Sequence, residues 1–315
     1  MYKTCNNKRN LWQKGFLGLI LAVTLLLGAC MTPDDYGRGP ADNDIGGMGS
    51  GAPDGPEAGT TAELEDGPES DHRVEMEPDS PSAFAADEDA VEEGTESIGF
   101  GELQRMFPET VVYRGPDNVK RVALTFDDGP DPRFTPDILD ILEENDVNAT
   151  FFVMGARAKG NPELLDRIDR EGHVIGNHTY WHPNLDGETV GQLRWEIEET
   201  DNIINNIVGY RPALFRPPYG NFGSAHTESL ASYEESAVFW TVDTRDWDGP
   251  PADEIINTVT EETGNGSIIL MHDGSHWTVD MSNTVEALGP VIESLKDDGY
   301  EFVTIPELLQ IRAKK

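Results

Sequence analysis

The chain has 315 residues, of which 59 are acidic and 23 basic, giving a net charge of −36. An imbalance of that size is repelled by nucleic acid and by anionic lipid, and it excludes both as direct partners. Only two cysteines are present, Cys5 and Cys30, and both fall in or next to the leader described below. The mature protein therefore has no disulfide to rely on, and its stability must come from a buried core.

Residues 1–29 have the pattern of a lipoprotein signal peptide. Lys3, Lys8, Arg9 and Lys14 precede the apolar run GFLGLILAVTLLL, which is too short and too basic at its flank for a membrane span. Leu27-Gly28-Ala29-Cys30 resembles the lipobox of bacterial lipoproteins, which implies a lipid-modified Cys30 and an extracytoplasmic protein anchored to a membrane without crossing it. The stretch 30–98 is low in complexity. From residue 31 onward it holds 20 acids against Arg38 and Arg73, and hardly any aromatic residue. Such a segment cannot bury enough apolar surface to offset its ordering entropy, so a disordered acidic linker is expected. The remaining domain, 99–315, keeps 39 acids against 17 basic residues. Dense surface carboxylate is tolerated best where salt screens it, and a halophilic source is the corresponding expectation.

From residue 119 apolar runs alternate with amphipathic segments. VALTF (122–126), NATFFVMG (148–155), HVIGNH (173–178), ALFRPPYG (213–220), AVFWTVD (237–243), GSIILMHD (266–273) and EFVTI (301–305) read as strands. FTPDILDILEEN, NPELLDRIDREG, the long segment 188–209 and a segment at about 284–297 read as helices, the first two with proline in the opening turn. Strands and helices alternating at this length predict parallel pairing through right-handed crossovers. About seven such strands fit an α/β barrel, complete or incomplete, better than an open doubly wound sheet, although periodicity alone does not separate the two. No phosphate-binding glycine motif is present.

The chemistry-bearing residues gather at the C-terminal ends of these strands, the edge that carries catalysis in α/β barrels. TFDDGP (125–130) places Asp127 beside Asp128. Successive residues at a strand end point in different directions, so one carboxylate can ligate a metal while its neighbour serves as general base toward a water there. The competing reading is an Asx-turn before Gly129. HTYWHP (178–183) sets His178 and His182 four apart, a spacing that on a helical turn puts both imidazoles on one face. Two histidines plus a carboxylate, with an open position, is a common catalytic zinc arrangement. His272 ends the apolar strand IILMH and is either a buried structural histidine or a general acid, with Asp243 or Asp246 of DTRDW available to hold it charged. Arg216 in FRPPYG is a surface arginine by default, yet two following prolines could fix it against one of these acids. Trp181, Trp247 and Tyr219 suit either a rim or stacking on a sugar ring.

In this order TFDDGP, HTYWH, RPPYG, DTRDW and LMH resemble the five motifs of the polysaccharide deacetylases with a NodB homology domain, carbohydrate esterase family 4, over residues 119 to 310. The resemblance implies an α/β fold of the distorted, incomplete (β/α) barrel type, with Asp127 as catalytic base and Asp128, His178 and His182 as ligands of one divalent metal, zinc first and Co2+, Ni2+ or Mn2+ as alternatives. It further implies that Arg216 orients the base, that the Tyr219 backbone N–H stabilises the oxyanion and that His272 is the acid tuned by Asp246. Trp247 and Leu270 would line the acetyl pocket. The implied activity is removal of N-acetyl groups from a GlcNAc-containing polysaccharide, peptidoglycan or chitin-like, by a monomer. An acetylxylan-type O-deacetylase and a non-catalytic carbohydrate-binding lipoprotein are the rival readings.

Overall fold

The computed structural model describes residues 94–315. The expected signal peptide, Cys30 and the expected linker up to residue 93 lie outside the described residues. Thr95 and Ile98 hydrogen-bond backbone to backbone with Glu188 and Phe222, so residues before 99 also take part in the domain's contacts. Two elements precede the first expected strand, the helix α1 (Phe100–Met106) and the short strand β1 (Val111–Val112).

The regular alternation then follows. β2 (Arg121–Asp127) leads to α2 (Thr135–Glu144), and β3 (Thr150–Val153) to α3 (Gly155–Gly160) and α4 (Pro162–Arg170). β4 (Val174–Asn177) leads to α5 (Val190–Val208), which is opened by a capping box between Thr189 and Gln192 and closed by Gly209 at φ 85°. β5 (Leu214–Phe215), α6 (Ser224–Ser232), β6 (Ser236–Val238) and β7 (Val242–Asp243) come next. α7 (Ala252–Glu262), β8 (Ile268–His272), α8 (Ser282–Asp297), β9 (Glu301–Phe302) and α9 (Ile305–Leu309) complete the order.

All strand pairs are parallel, in the order β1-β6-β5-β4-β3-β2-β8-β7, with β9 paired to the start of β2. AVFWTVD, expected as one strand, is two: β6 and β7, separated by Phe239-Trp240-Thr241. This split fixes the shape. Val238 and Val242 are four Cα steps apart, at most about 14 Å of chain. Along the sheet the two strands are six neighbours apart, which on a flat sheet would be roughly 29 Å at about 4.8 Å per strand. The sheet must therefore curl until its two arms nearly meet. The result is the distorted, incompletely closed α/β barrel, with β1 and β7 as its edges.

Residues alternate across this sheet with period two. Val122, Leu124 and Phe126 of β2, Phe151 and Val153 of β3, and Ile269 and Met271 of β8 face the outer core under the helices. Ala123, Phe152, Leu214, Val238 and Ile268 fill the barrel interior with Val303, Ile305 and Leu308. The same parity sends Thr125 and Asp127 of β2, and Leu270 and His272 of β8, toward the inside. In register Thr125 pairs with Leu270 and Asp127 with His272, so the last inward residues of two central strands stand side by side at the mouth.

Candidate active site

Asp127 closes β2 in extended backbone, whereas Asp128 follows at φ 72°. That left-handed turn gives the two adjacent carboxylates different partners, although both approach His178, whose Nε2 lies 3.7 Å from Asp127 Oδ2. Asp127 Oδ1 accepts from Arg216 Nη1 at 2.7 Å. Asp128 Oδ1 instead lies 3.4 Å from His178 Nε2 and 3.2 Å from His182 Nε2. The next peptide, Gly129-Pro130, is cis.

His178 and His182 converge, but not through the helical turn their spacing suggested. The segment after β4 is irregular, with Thr179 at φ 67° and His182 at φ 60°. Left-handed backbone at a β-branched residue is costly and persists only where neighbours enforce it. Here they do. The Thr179 hydroxyl donates to the His178 carbonyl and accepts from the His182 N–H at 3.0 Å. The Thr179 N–H donates to Asn177 Oδ1 at 2.9 Å, and the buried Glu196 accepts from the N–H groups of Tyr180 and Trp181 at 2.6 and 2.8 Å. Sequence reasoning missed Asn177, Thr179 and Glu196 as supports. The available signal was Glu196, a carboxylate on the face of α5 that also buries Leu193, Ile197 and Thr200.

The triad Asp128, His178 and His182 fits a small cation. Its three donor atoms lie within 4.8 Å of one another, and Asp128 Oδ1 is buried with no hydrogen-bond partner. His178 Nδ1 donates to the Arg216 carbonyl at 2.7 Å, which leaves the Nε2 lone pair facing Asp128. Ligands on a tetrahedral zinc at 2.0–2.1 Å stand about 3.3 Å apart, close to the 3.2 and 3.4 Å separations here. Burial alone would raise the Asp128 pKa, but the His178 and His182 imidazoles beside it hold it well below the usual carboxylate range. Burial pushes His182 down to about 4, keeping its imidazole neutral and available as a ligand.

Arg216 is fully buried. Besides Asp127 it donates to Thr125 Oγ1 at 2.8 Å, to the Val238 carbonyl at 3.0 Å and to that of Phe239 at 3.5 Å, with its guanidinium 4.1 Å from the Phe152 ring centroid. It is an internal residue, not a surface one.

On the opposite wall His272 Nδ1 meets Asp246 Oδ1 at 2.7 Å. Asp246, not Asp243, is the partner: Asp243 Oδ1 accepts from the Arg245 N–H instead. The second oxygen of Asp246 accepts from the His272 N–H at 2.9 Å and from Thr284 Oγ1 at 2.7 Å. Asn283 donates to the Asp246 carbonyl, so the start of α8 holds this acid in place. Burial opposes a charge on His272, but the Asp246 carboxylate outweighs it and raises the imidazole to about 10. His272 is thus protonated at neutral pH.

Asp127, Asp128, His178, His182, Tyr219, Trp247, Leu270 and His272 line one cleft of about 590 Å³. Tyr219, at φ 58° on the short turn Pro218–Gly220, lies with its ring 4.7 Å from that of His182. All of the expected active-site residues are brought together, and Cys30 lies outside the described residues.

Residues 114–238 match the family model described as polysaccharide deacetylase. A peptidoglycan-N-acetylglucosamine deacetylase of Bacillus cereus is 44% identical over 200 residues, covering 63% of this chain and 71% of that protein. The chain belongs to the polysaccharide deacetylase family. A chitooligosaccharide deacetylase of Sinorhizobium fredii is 38% identical, with 62% of this chain and 95% of that protein covered. The crystal structure of the Bc1960 peptidoglycan N-acetylglucosamine deacetylase, in complex with 4-naphthalen-1-yl-N-oxidanyl-benzamide, is similar with a TM-score of 0.65 at 41% identity. The match covers 68% of this chain and 99% of that one. As a member of this family the chain is a hydrolase. The family match contains Asp127, Asp128, His178, His182, Arg216 and Tyr219, whereas Asp246, Trp247, Leu270 and His272 lie past its end.

Proposed function

We propose that this polysaccharide deacetylase removes N-acetyl groups from GlcNAc units of a cell-envelope glycan, with peptidoglycan as the principal substrate. The observation that carries the reading is the opposition, across one cleft, of a cation-competent triad and two differently prepared proton carriers, Asp127 and His272. A divalent cation, zinc by the chemistry of two imidazoles and a carboxylate, supplies Lewis acidity toward the acetyl carbonyl and lowers the pKa of a water.

The protein's own groups do the rest. Asp127, oriented by Arg216, takes a proton from the attacking water as its oxygen bonds to the acetyl carbon. The Tyr219 N–H donates to the oxygen on which negative charge develops. His272, kept charged by Asp246, gives its proton to the nitrogen as the C–N bond breaks, leaving acetate and a free amine. Leu270 and Trp247 shape the space for the acetyl methyl group. Cys30 would carry the lipid and residues 30–98 would serve as tether, placing the hydrolase outside the cytoplasm as a monomer. Among the described residues no helix is long and apolar enough to cross a membrane.

Acetate release from peptidoglycan, N-acetylated chitooligosaccharide and acetylxylan, with and without a chelator, tests the reading. Chelator-sensitive release from the GlcNAc glycans is expected, and Asp127→Asn should abolish it while metal stays bound. Chelator-insensitive release would overturn the metal assignment, release from acetylxylan alone would favour the O-deacetylase, and no release from any glycan would favour a binding protein.

A further inference from the structure

The large apolar residues exposed among the described ones are Met106, Val119, Trp181, Tyr219, Trp247 and Trp277. Trp181, Tyr219 and Trp247 line the cleft, each following the C-terminal end of a strand. Trp277 is the most exposed of all, at 79%, and it lies on the loop after β8 at that same edge. Its loop neighbours Ser275, His276 and Val279 line the cleft. A tryptophan that surrenders almost none of its surface to the fold forgoes the burial energy its size offers.

The loop that holds it out is fixed in place. Arg133 donates to the carbonyls of Ser275, Trp277 and Val279 at 3.1, 3.1 and 3.2 Å. Arg157 donates to the Ser275 carbonyl at 2.5 Å. Both guanidiniums are anchored on the buried Asp131, which Arg133 grips through both oxygens at 3.0 and 2.7 Å and Arg157 reaches at 3.1 Å. The His276 ring lies 5.5 Å from that of Trp277, on the cleft side of the loop. The backbone carbonyls of Ser275, Trp277 and Val279, on the indole's own residue and to either side of it, are tied to ion-paired arginines, which lowers the ordering cost a mobile loop would incur on binding.

We propose that Trp277 is the stacking platform of an outer carbohydrate subsite, taking the pyranose face of a sugar in the same glycan beyond the one deacetylated between Asp127 and His272. The site rests on the GlcNAc-polysaccharide reading and extends it to chain length. The occupant is a neutral sugar ring continuous with the substrate in the cleft. An anionic membrane surface, the other partner that exposed tryptophan fits, is disfavoured by the excess of acids over bases in 99–315. Arg133 is a positioning residue for this platform and touches no reacting atom. Contact with a sugar remote from the acetyl group contributes equally to the ground and transition states, so it acts on KM and leaves kcat alone.

The test compares kcat and KM for acetate release from N-acetylchitooligosaccharides of two to six sugars in the metal-loaded wild type, Trp277→Ala and Trp277→Phe. The wild type should gain affinity with length. Trp277→Ala should raise KM roughly three- to tenfold for the long oligomers, the scale of one aromatic contact. It should leave kcat and the shortest substrate unchanged, and Trp277→Phe should recover part of the loss. Arg133→Ala should give the same length-dependent rise in KM without a change in kcat. Equal KM in wild type and Trp277→Ala at every length, or an equal rise at every length, would overturn the subsite. Loss of binding to anionic vesicles by Trp277→Ala, with no effect on oligosaccharide KM, would assign the indole to a membrane instead. If the wild type released no acetate from any oligomer or from peptidoglycan, the failure would lie with the catalytic reading, whereas a length-independent active enzyme would sink only the subsite.

Discussion

Replacing Asp246 with Asn tests the division of labour between acid and base most directly. The change keeps size and most hydrogen-bonding capacity but removes the charge that meets His272 Nδ1 at 2.7 Å. With Asp246 ionised, His272 is raised from 6.5 to about 10. Without it, the buried imidazole loses the largest influence opposing desolvation, and its pKa should fall toward the ordinary imidazole value of 6.5. At pH 7.5 a pKa of 6.5 leaves about one-tenth of the imidazole protonated, so turnover should fall roughly tenfold there, and less at pH 6. The assay is kcat for acetate release across pH 5.5 to about 10, where the alkaline limb should move toward neutrality. Stability supplies a second readout. Because the folded pKa of His272 lies above its unfolded value, the pair's contribution is complete below pH 6.5 and disappears as pH rises through about 10. Asp246→Asn should therefore flatten the alkaline decline of the melting temperature. An alkaline limb at the same pH in wild type and variant would refute the assignment of His272 as the acid.

Thr179→Val preserves shape but deletes the hydroxyl that bridges the His178 carbonyl and the His182 N–H. Metal affinity, read by competition with a chelator, should weaken roughly 10- to 100-fold. Gly176→Ala would set a methyl group 2.5 Å from the Phe152 ring inside the barrel. The overpacking should cost about 1–3 kcal/mol, visible as a melting temperature lowered by about 2–4 °C for each kcal/mol. Melting of 99–315 should rise from dilute buffer to molar salt as its 39 acids are screened; equal values would count against a halophilic source.

Much of the site was legible because parity is legible. A strand ending on an inward residue delivers that residue to the mouth; the alternation in VALTFD already marked the side of Asp127, whereas in the apolar run IILMH only the strand end marked His272. The convergence of His178 and His182 was also readable, but for the wrong local reason. Backbone dihedrals such as the left-handed Thr179 and His182 leave no periodic trace, since they are enforced by side-chain bonds, from Asn177 close by and from Glu196 on α5. The split of AVFWTVD was hidden for a related cause. Its first four residues are all apolar and nothing in the pattern marks a break, so only the closure of the whole sheet decides that the chain must leave one arm at Val238 and join the other at Val242. On residue pattern alone Asp243 and Asp246 were equivalent, and only the family resemblance favoured Asp246; the physical reason lies at the start of α8, distant in sequence, which supplies Thr284 and Asn283 to it.

The crossing at Phe239-Trp240-Thr241 has a consequence for Arg216. Its Nε and Nη2 hold the carbonyls where the crossing departs, and its Nη1 holds the Asp127 carboxylate. One planar cation therefore sets both how far the barrel closes and where the proton acceptor points. A lysine there could match the charge but not reach both groups at once, because its donors radiate from a single nitrogen. The curvature of the sheet and the aim of the base are a single inherited property of this chain, and neither can drift without the other.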